Sequence, residues 1–594
     1  MIVLGISCYY HDAGAALVRD GRLVAAAEEE RFNRLKHYND FPEQALAYCL
    51  KEASITIHDV DHVVFYEKPL VKFNRILETI LASWPLSYSQ WLKAIPLWLS
   101  HRLRIGREIQ SKLGIDSDIL YCQHHIAHAA SAFLVSPFDE AAIITADGVG
   151  EWTTTSFGAG HGNRIDMHKE VRFPHSVGLL FSAITAYLGF RVNDAEWKVM
   201  GLAPYGRPEY VDKFREVVDI KDDGSIRLDL RYFAHTHSTT RTFSRRWESL
   251  FGQPQRDPEA ELTDFHRDIA HSGQKTVEEI MLKAAAHVQR ETGMENLCLA
   301  GGVGLNCVAN WKILRQSGFK NIFIQPAAGD SGGALGAAFY VYNTVLDNPR
   351  TFRMDHALWG PSFDYLQIKA TLDQARANYD HVDDEEQLLT RTARMITEGK
   401  VVAWFNGRLE FGPRALGSRS LLADPRDPNM KDVINAKVKF REAFRPFAPA
   451  VLKERAHEYF DMPEGMDAPY MLLVPEVRPD ARSIIPAVTH KDGTGRVQTV
   501  TEDTNPRYYR LIRTFERLTG VPVLINTSFN VRGEPIVCTP QDAYHTFVHT
   551  GIDALVMGNF VVTEKPDAVD YDAGMRRSVS LEAGLKTADS VTIR

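Results

Sequence analysis

The run QHHIAHAA, residues 123–130, sets His124 and His128 four positions apart. On a helix that spacing brings both imidazoles to one face, where they can grip one cation, while His125 points elsewhere. Taken alone, such a pair is more often hydrogen-bonded or solvated than ligated. Two carboxylates strengthen it. Asp147 follows the apolar run AAIITA and opens DGVG, and Asp330 opens DSGGALG. Each sits where a strand gives way to flexible backbone, a place where turn aspartates and helix N-caps are also common. Two nitrogens and two carboxylate oxygens suit Fe²⁺, Mn²⁺ or Zn²⁺ better than Mg²⁺ alone, and spacing does not choose among the three.

The glycine-rich stretches suggest a second chemistry. AGGVGLN, residues 300–306, follows a short strand and precedes a helix, so a nucleotide can approach the bare backbone at Gly301 and Gly302, with Asn306 closing the loop. Gly148 and Gly150 of the DGVG turn, and the turn at Gly329–Gly333, can offer amides to phosphate. Lys198, in AEWKVMGLAPY, can add a phosphate-facing charge. None of these is a P-loop or a dinucleotide fingerprint, and each alone is ordinary turn chemistry. Together they fit an actin-like nucleotide fold. The second half differs. Arg414, Arg419, Lys439 and Arg445, within FGPRALGSRS and KVKFREAFRPFAP, are separated by glycine, proline and aromatic residues instead of acidic partners. That pattern suits a phosphate or carboxylate pocket, where guanidinium binds bidentately. NTSFNVRGEP, after the strand-like VPVLI, adds Asn526 and Ser528 as polar donors.

The elements that must position these groups read as α/β. Strand signals occur at Ile2–Ile6, Ala15–Val18 and Leu23–Ala26, with an Asp20-Gly21 hairpin turn, and again at Ala141–Thr145, Cys298–Ala300 and Ile322–Ile324. Helical stretches such as Asp268–Thr292 lie between them, and the early hairpin makes the sheet mixed. At 594 residues the chain exceeds one core, because domains usually close at about 100–250 residues. A first domain is expected over residues 1–350, a proline-bearing linker over 351–370, a second mixed domain over 371–570 and a polar tail over 571–594. In the second, a helix at Glu385–Glu398 and strands at Val401–Phe405, Tyr470–Val474, Val521–Ile525 and Ala554–Val556 are expected. The six cysteines form no C-x-x-C pair, and MIVLGIS reads as a strand instead of a signal peptide, so a cytoplasmic location is expected. The net charge of −8 gives no general reason to bind nucleic acid. No long apolar run predicts a membrane span; the aromatic stretch Ser83–Ser100 is interrupted by prolines and reads as a loop-and-helix insertion on the first domain.

The strings HDAGAALVRDG, EEERF, HHIAHAASA, DGVGE, KVMGLA, AGGVGLN and GDSGGALGAA, followed by GPRALGSRS, KVKFREAFRPFAP, QTVTEDTNPRY and NTSFNVRGEP, resemble the NodU/CmcH O-carbamoyltransferases in order from Met1 to about Val562. The resemblance implies a TsaD-like first domain on the actin-like fold that holds iron, and a YrdC-like second domain that makes carbamoyl-adenylate from ATP and carbamoyl phosphate, with Mg²⁺ accompanying ATP. It implies that His124, His128, Asp147 and Asp330 are the metal ligands and that His11, in the polar turn after the first strand, acts on the acceptor hydroxyl. By residues alone His11 is a turn histidine bonded to backbone. Asp147, Gly148, Gly150, Lys198, Gly301, Gly302 and Asn306 are expected at the nucleotide. Lys36, Arg414, Arg419, Lys439, Arg445, Gln498, Asn526 and Ser528 are expected at carbamoyl phosphate and the adenylate. The partner expected is a small-molecule hydroxyl acceptor, with no nucleic acid and no membrane, and a homodimer stays open. Three rivals are a tRNA-modifying enzyme, against which the acidic balance and the fused second half weigh, a non-catalytic nucleotide switch, against which the metal set and basic pocket weigh, and a sugar kinase, in which the second half would have no purpose.

Overall fold

The computed structural model describes residues 1–439, 441–442 and 444–566; the tail expected over 571–594 lies outside them. The chain divides into two compact units. Among the described residues, the first contains Met1–Glu29 and His37–Met354; the second contains Glu30–Lys36 and the chain from Asp355 to 566.

The first unit repeats one topology twice. Strands β1 (Ile2–Ser7), β2 (Gly14–Arg19) and β3 (Arg22–Glu28) form an antiparallel meander, and β4 (His62–Phe65) and β5 (Ile119–Tyr121) extend the sheet in parallel beyond β1. The second sheet does the same. Its meander is β6 (Glu140–Ala146), β7 (Thr153–His161) and β8 (Arg164–Arg172). Beyond a small hairpin, β9 (Val218–Ile220) and β10 (Ile226–Leu228), the strands β11 (Asn296–Ala300) and β12 (Asn321–Ile324) continue in parallel from β6. The orders β3-β2-β1-β4-β5 and β8-β7-β6-β11-β12 are therefore equivalent, and this doubled arrangement is actin-like. The Asp20-Gly21 turn has positive φ at both residues, 50° and 76°, the geometry that matches a two-residue hairpin to strand twist.

Two helices tie the sheets together at the site. His124–Phe133 follows β5, and Asp330–Phe339 follows β12, with all ten residues of the latter buried. They meet through glycine. A Cβ on Gly336 would lie 1.8 Å from the Ala127 carbonyl oxygen, and one on Gly5 of β1 would lie 1.9 Å from that of Ala334. Backbone thus touches backbone on both sides of Asp330–Phe339. The aromatic segment before residue 104 forms a helical hairpin, Pro69–Ala82 and Tyr88–Ser100, closed around Ile76, Ile80, Ala94 and Trp98.

The second unit is built on an eight-stranded mixed sheet in the order β13-β20-β19-β14-β15-β18-β16-β17. The strands are β13 (Asp380–His381), β14 (Val402–Phe405), β15 (Arg419–Ala423), β16 (Ala448–Leu452), β17 (Gln498–Val500), β18 (Val523–Ser528), β19 (Ala554–Met557) and β20 (Phe560–Val562). The expected strand at Tyr470–Val474 is absent: Leu473 makes only an isolated bridge to Val497. Apolar residues in succession, without the turns and partners of a ladder, bury that segment as irregular chain. No helix among the described residues is long and apolar enough to cross a membrane.

Candidate functional site

In the first unit His124 and His128 project one turn apart from a helix whose N-terminus is held by Glu151, which accepts a hydrogen bond from the His124 amide at 3.0 Å. That carboxylate offsets the exposed amide dipoles at the helix start. The two Nε2 atoms face each other at 3.1 Å. Asp147, at the end of β6, places Oδ2 3.2 Å from His124 Nε2 and 3.6 Å from His128 Nε2. Asp330, at the start of its helix, places Oδ1 3.6 Å from both nitrogens. All four residues are buried and their ligand atoms lie within 4.8 Å of one another. His125 points away and bonds Thr145 Oγ1 at 2.6 Å, as expected from its position on the helix.

The four groups stand close enough to share protons. Burial disfavours charge on His128, but hydrogen bonds to Asp147 and Asp330 and their charges lift it to about 9. Burial likewise opposes a charged Asp147, and the two imidazoles still hold it well below the usual carboxylate range. The Nδ1 atoms of His124 and His128 are buried without partners. Two converging imidazole nitrogens and two carboxylates fit a divalent transition metal, since one such ion would take lone pairs from all four.

The glycine loops border this cluster. The Gly302 amide donates to Asp147 Oδ1 at 3.1 Å, linking the AGGVGLN loop to a candidate ligand. Gly301 has φ of 92°, and a Cβ there would strike the Ala146 carbonyl oxygen at 2.2 Å. Gly150 faces the rings of His124 and His125, while a Cβ on Gly148 would meet nothing within 4 Å, so the backbone is open there. Asn306 does something else: its side chain caps the next helix through the Ala309 amide and pairs with Gln274 at 3.0 Å. Lys198 lies over the rings of Phe190 and Trp197.

His11 belongs to a chain of charges. Its Nδ1 lies 2.8 Å from Asp12 and its Nε2 lies 2.9 Å from the Asn193 carbonyl. Both partners only accept, so His11 donates from both nitrogens and is an imidazolium. Burial works against that charge, but Asp12 raises the group to about 10. Asp12 also bonds His37 Nδ1, whose Nε2 bonds Asp194, each at 2.8 Å. Tyr9, Asp12, His37 and Asn193 all have positive φ, between 42° and 71°. For residues other than glycine this is strained backbone, held where side chains must converge.

In the second unit, Lys439 is buried and donates to Ser528 and Asn530 through both side-chain and carbonyl oxygens. Burial, then Arg441 and Arg445, push its pKa well below the usual lysine range. Arg441 is depressed in the same way by burial, Arg445 and Arg496, with only Glu442 opposing. Gln498 and Asn526 bond each other at 2.7 Å and hold the Leu416 and Ala415 carbonyls, while Asn526 Oδ1 is buried without a partner. Arg445 lies 3.6 Å from Glu442. Arg414 is in the neighbouring GPRALG loop, before β15. Arg419 is engaged elsewhere. It starts β15, is fully buried, lies over the Phe405 ring and donates to the carbonyls of Asn406, Gly407, Ser418 and Pro361. That geometry makes it a packing residue in this structure. Lys36 ends the Glu30–Lys36 segment and is partly exposed.

The family described as carbamoyltransferase N-terminus matches residues 2–339, and that described as carbamoyltransferase C-terminus matches 393–564. The chain belongs to the carbamoyltransferase family. An uncharacterised protein of Synechocystis sp. is 49% identical over 597 residues, covering 95% of this carbamoyltransferase and 96% of its own length. Nodulation protein NolNO of Sinorhizobium fredii is 39% identical, covering 94% of this chain and 79% of its own. HypF of T. kodakarensis shares 14% identity over 57% of this chain and 47% of that one, with a TM-score of 0.30. Several groups in this carbamoyltransferase escaped the sequence reading: His37, Asp194, Arg441, Arg496 and Asn530. Arg441 lies within KVKFREAF and Asn530 within NTSFNVRGEP, but the His37–Asp194 bond joins residues 157 positions apart.

Proposed function

We propose that this carbamoyltransferase converts ATP and carbamoyl phosphate to carbamoyl-adenylate and passes the carbamoyl group to a hydroxyl of a small molecule. The observation that carries this reading is a division of labour: a buried His₂Asp₂ cluster lies in the first unit, and a buried cation cluster around Lys439 and Arg441 lies in the second. A carbamate carbonyl is a sluggish electrophile because its nitrogen donates into it, so a good leaving group is needed. Water releases phosphate from carbamoyl phosphate to leave carbamate, whose oxygen attacks the α-phosphorus of ATP and displaces pyrophosphate. Lys439, Arg441 and Arg445 supply positive charge for those anions, and Gln498, Asn526 and Ser528 supply the polar wall.

In the first unit the open backbone at Gly148 and the Gly301–Gly302 turn support nucleotide binding, with Mg²⁺ entering alongside ATP. His124, His128, Asp147 and Asp330 would hold a divalent metal such as Fe²⁺, which supplies Lewis-acid polarisation and neutralises the departing AMP phosphate. For His11 to accept the acceptor's proton at Nε2, the Asn193 carbonyl must release that nitrogen and its proton must leave. Asp12 then keeps Nδ1–H fixed and the lone pair aimed. The six cysteines, all free and buried, support a reducing, cytoplasmic setting.

The test is to incubate the full chain with ATP, carbamoyl phosphate and hydroxyl-bearing acceptors, reading the acceptors by mass spectrometry and the nucleotides by chromatography. A carbamoyl mass increment with AMP as the nucleotide product is expected. ADP with no increment would favour a kinase and contradict the proposal.

A further inference from the structure

The helical hairpin of the first unit, Pro69–Ala82 and Tyr88–Ser100, is pinned on its inner side and apolar on its outer side. Within, Ile76, Ile80, Ala94 and Trp98 close a small core. Ser83 Oγ donates to the Thr236 carbonyl at 3.0 Å, and Gln90 Nε2 donates to that of Ser238 at 3.2 Å. Outside, Leu81, Trp84, Leu86, Tyr88, Leu92 and Leu99 are each between 53% and 70% exposed. The first four bracket the turn between the two helices, where the Trp84 and Tyr88 rings meet edge to face with centroids 5.8 Å apart. Tyr88, Leu92 and Leu99 share one narrow arc of the second helix, at positions i, i+4 and i+11, while buried Gln90, Ala94 and Trp98 take its far side. Single exposed leucines are ordinary, but a cluster of large apolar groups on one hairpin marks an interaction surface.

Charge says what covers it. From Thr79 to Arg107 the chain has four cations, Lys93, Arg102, Arg104 and Arg107, and no carboxylate, although its net charge is −8. Glu78, the nearest acid before them, accepts from Asn74 at 2.8 Å. Arg102 lies over the Tyr9 ring, whereas Lys93, Arg104 and Arg107 are exposed. Lys93 is set about 100° around the helix from Leu92, at the border of the apolar arc. A helix lying in a bilayer surface sinks its apolar face about 5–10 Å into the boundary between headgroups and acyl chains and extends flanking lysines to the phosphates. Tryptophan and tyrosine favour that same boundary. A second copy of the chain is a poorer match, because a symmetric contact through this face would bring the same cations together.

We propose that the outer face of the hairpin docks the protein on an anionic lipid surface, with Trp84, Leu86, Tyr88 and Leu92 in the interfacial layer and Lys93 on the headgroups. This sets aside the expectation of no membrane partner. No span is involved, since no helix among the described residues is long and apolar enough for one. Elsewhere the acidic balance of the chain repels an anionic surface, so the basic hairpin also orients the approach. The inference does not rest on carbamoyl transfer.

Co-sedimentation of the full chain with phosphatidylcholine vesicles, with and without one-third phosphatidylglycerol, tests it. At about 0.1 M salt the chain should partition at least fivefold more strongly onto the anionic vesicles, and about 1 M salt should remove that preference. Trp84→Ser combined with Leu86→Ser should weaken binding to the anionic vesicles about tenfold or more and leave the Tm unchanged, because both side chains are exposed. Lys93→Gln, a milder change, should weaken it about fivefold through loss of one headgroup-facing cation. Brominated acyl chains in the anionic vesicles should quench the tryptophan fluorescence of the wild type more than that of Trp84→Phe. Equal partitioning with and without phosphatidylglycerol would overturn the proposal, as would full binding by the Trp84→Ser/Leu86→Ser variant. A lipid-free dimer that the same variant converts to monomer would make this face a subunit contact and equally overturn it.

Discussion

Each candidate ligand of the buried cluster is defined by what happens to the others when it is removed. Asp330→Ala leaves Asp147 as the single carboxylate beside two imidazole nitrogens 3.1 Å apart. The protein should then purify with less than about a tenth of the wild-type metal by elemental analysis, since losing one ligand of four typically removes tight binding. His11 makes a separate prediction through its charge. Its folded pKa of about 10 stands above the ordinary imidazole value of about 6.5, so its stabilisation is complete below about 6.5 and is lost as pH rises through about 10. His11→Gln should flatten the decline in urea midpoint over that window, and an unchanged slope would show that another group titrates there. The histidine pair was legible because a helical spacing and two strand-end aspartates are local features. Arg441 is not legible in this way, because only folding brings it together with Arg445 and Arg496 in a buried environment.

The elements matter because Asp330 reaches the histidines only if its helix lies flush against two backbones. Gly336→Val should cost about 1–3 kcal/mol by urea denaturation and should lower metal content as well, because the added side chain pushes Asp330–Phe339 away from Ala127. Loss of stability with full metal occupancy would separate the packing from the site. The first meander of the first unit is readable from its strands and the Asp20-Gly21 turn, whereas β7 and β8, which repeat it, are not among the strand signals. Neither is β15. Its residues, RSLLA, follow a run of glycine, proline and arginine that reads as a binding loop, whereas in the structure Arg419 begins a central strand and donates to backbone carbonyls. Tyr470–Val474 failed in the opposite direction, since apolar residues mark burial without specifying a ladder partner.

For the whole molecule, the division into two units does not follow chain order. Glu30–Lys36 belongs with the second unit: Arg31 donates to the Gly412 carbonyl, and Arg34 to those of Pro535 and Ile536, at 2.5–2.7 Å. A boundary drawn near residue 350 cannot foresee this, because seven residues without a periodic signal carry no mark of the unit they join. Arg31→Ala should lower the second unit's stability by about 1–3 kcal/mol through loss of its buried hydrogen bond to the Gly412 carbonyl, as measured by urea denaturation followed through Trp404 and other tryptophan fluorescence. The central claim is that adenylate formation and carbamoyl transfer use different buried clusters. The direct measurement is pyrophosphate release from ATP and carbamoyl phosphate, without acceptor, by full-length Asp330→Ala and Lys439→Met. Asp330→Ala should release pyrophosphate at near the wild-type rate while failing to carbamoylate an acceptor, and Lys439→Met should release at least about 100-fold less, as loss of a buried charged contact to phosphate implies. Equal loss of pyrophosphate release in both variants, or wild-type release by Lys439→Met, would contradict the account.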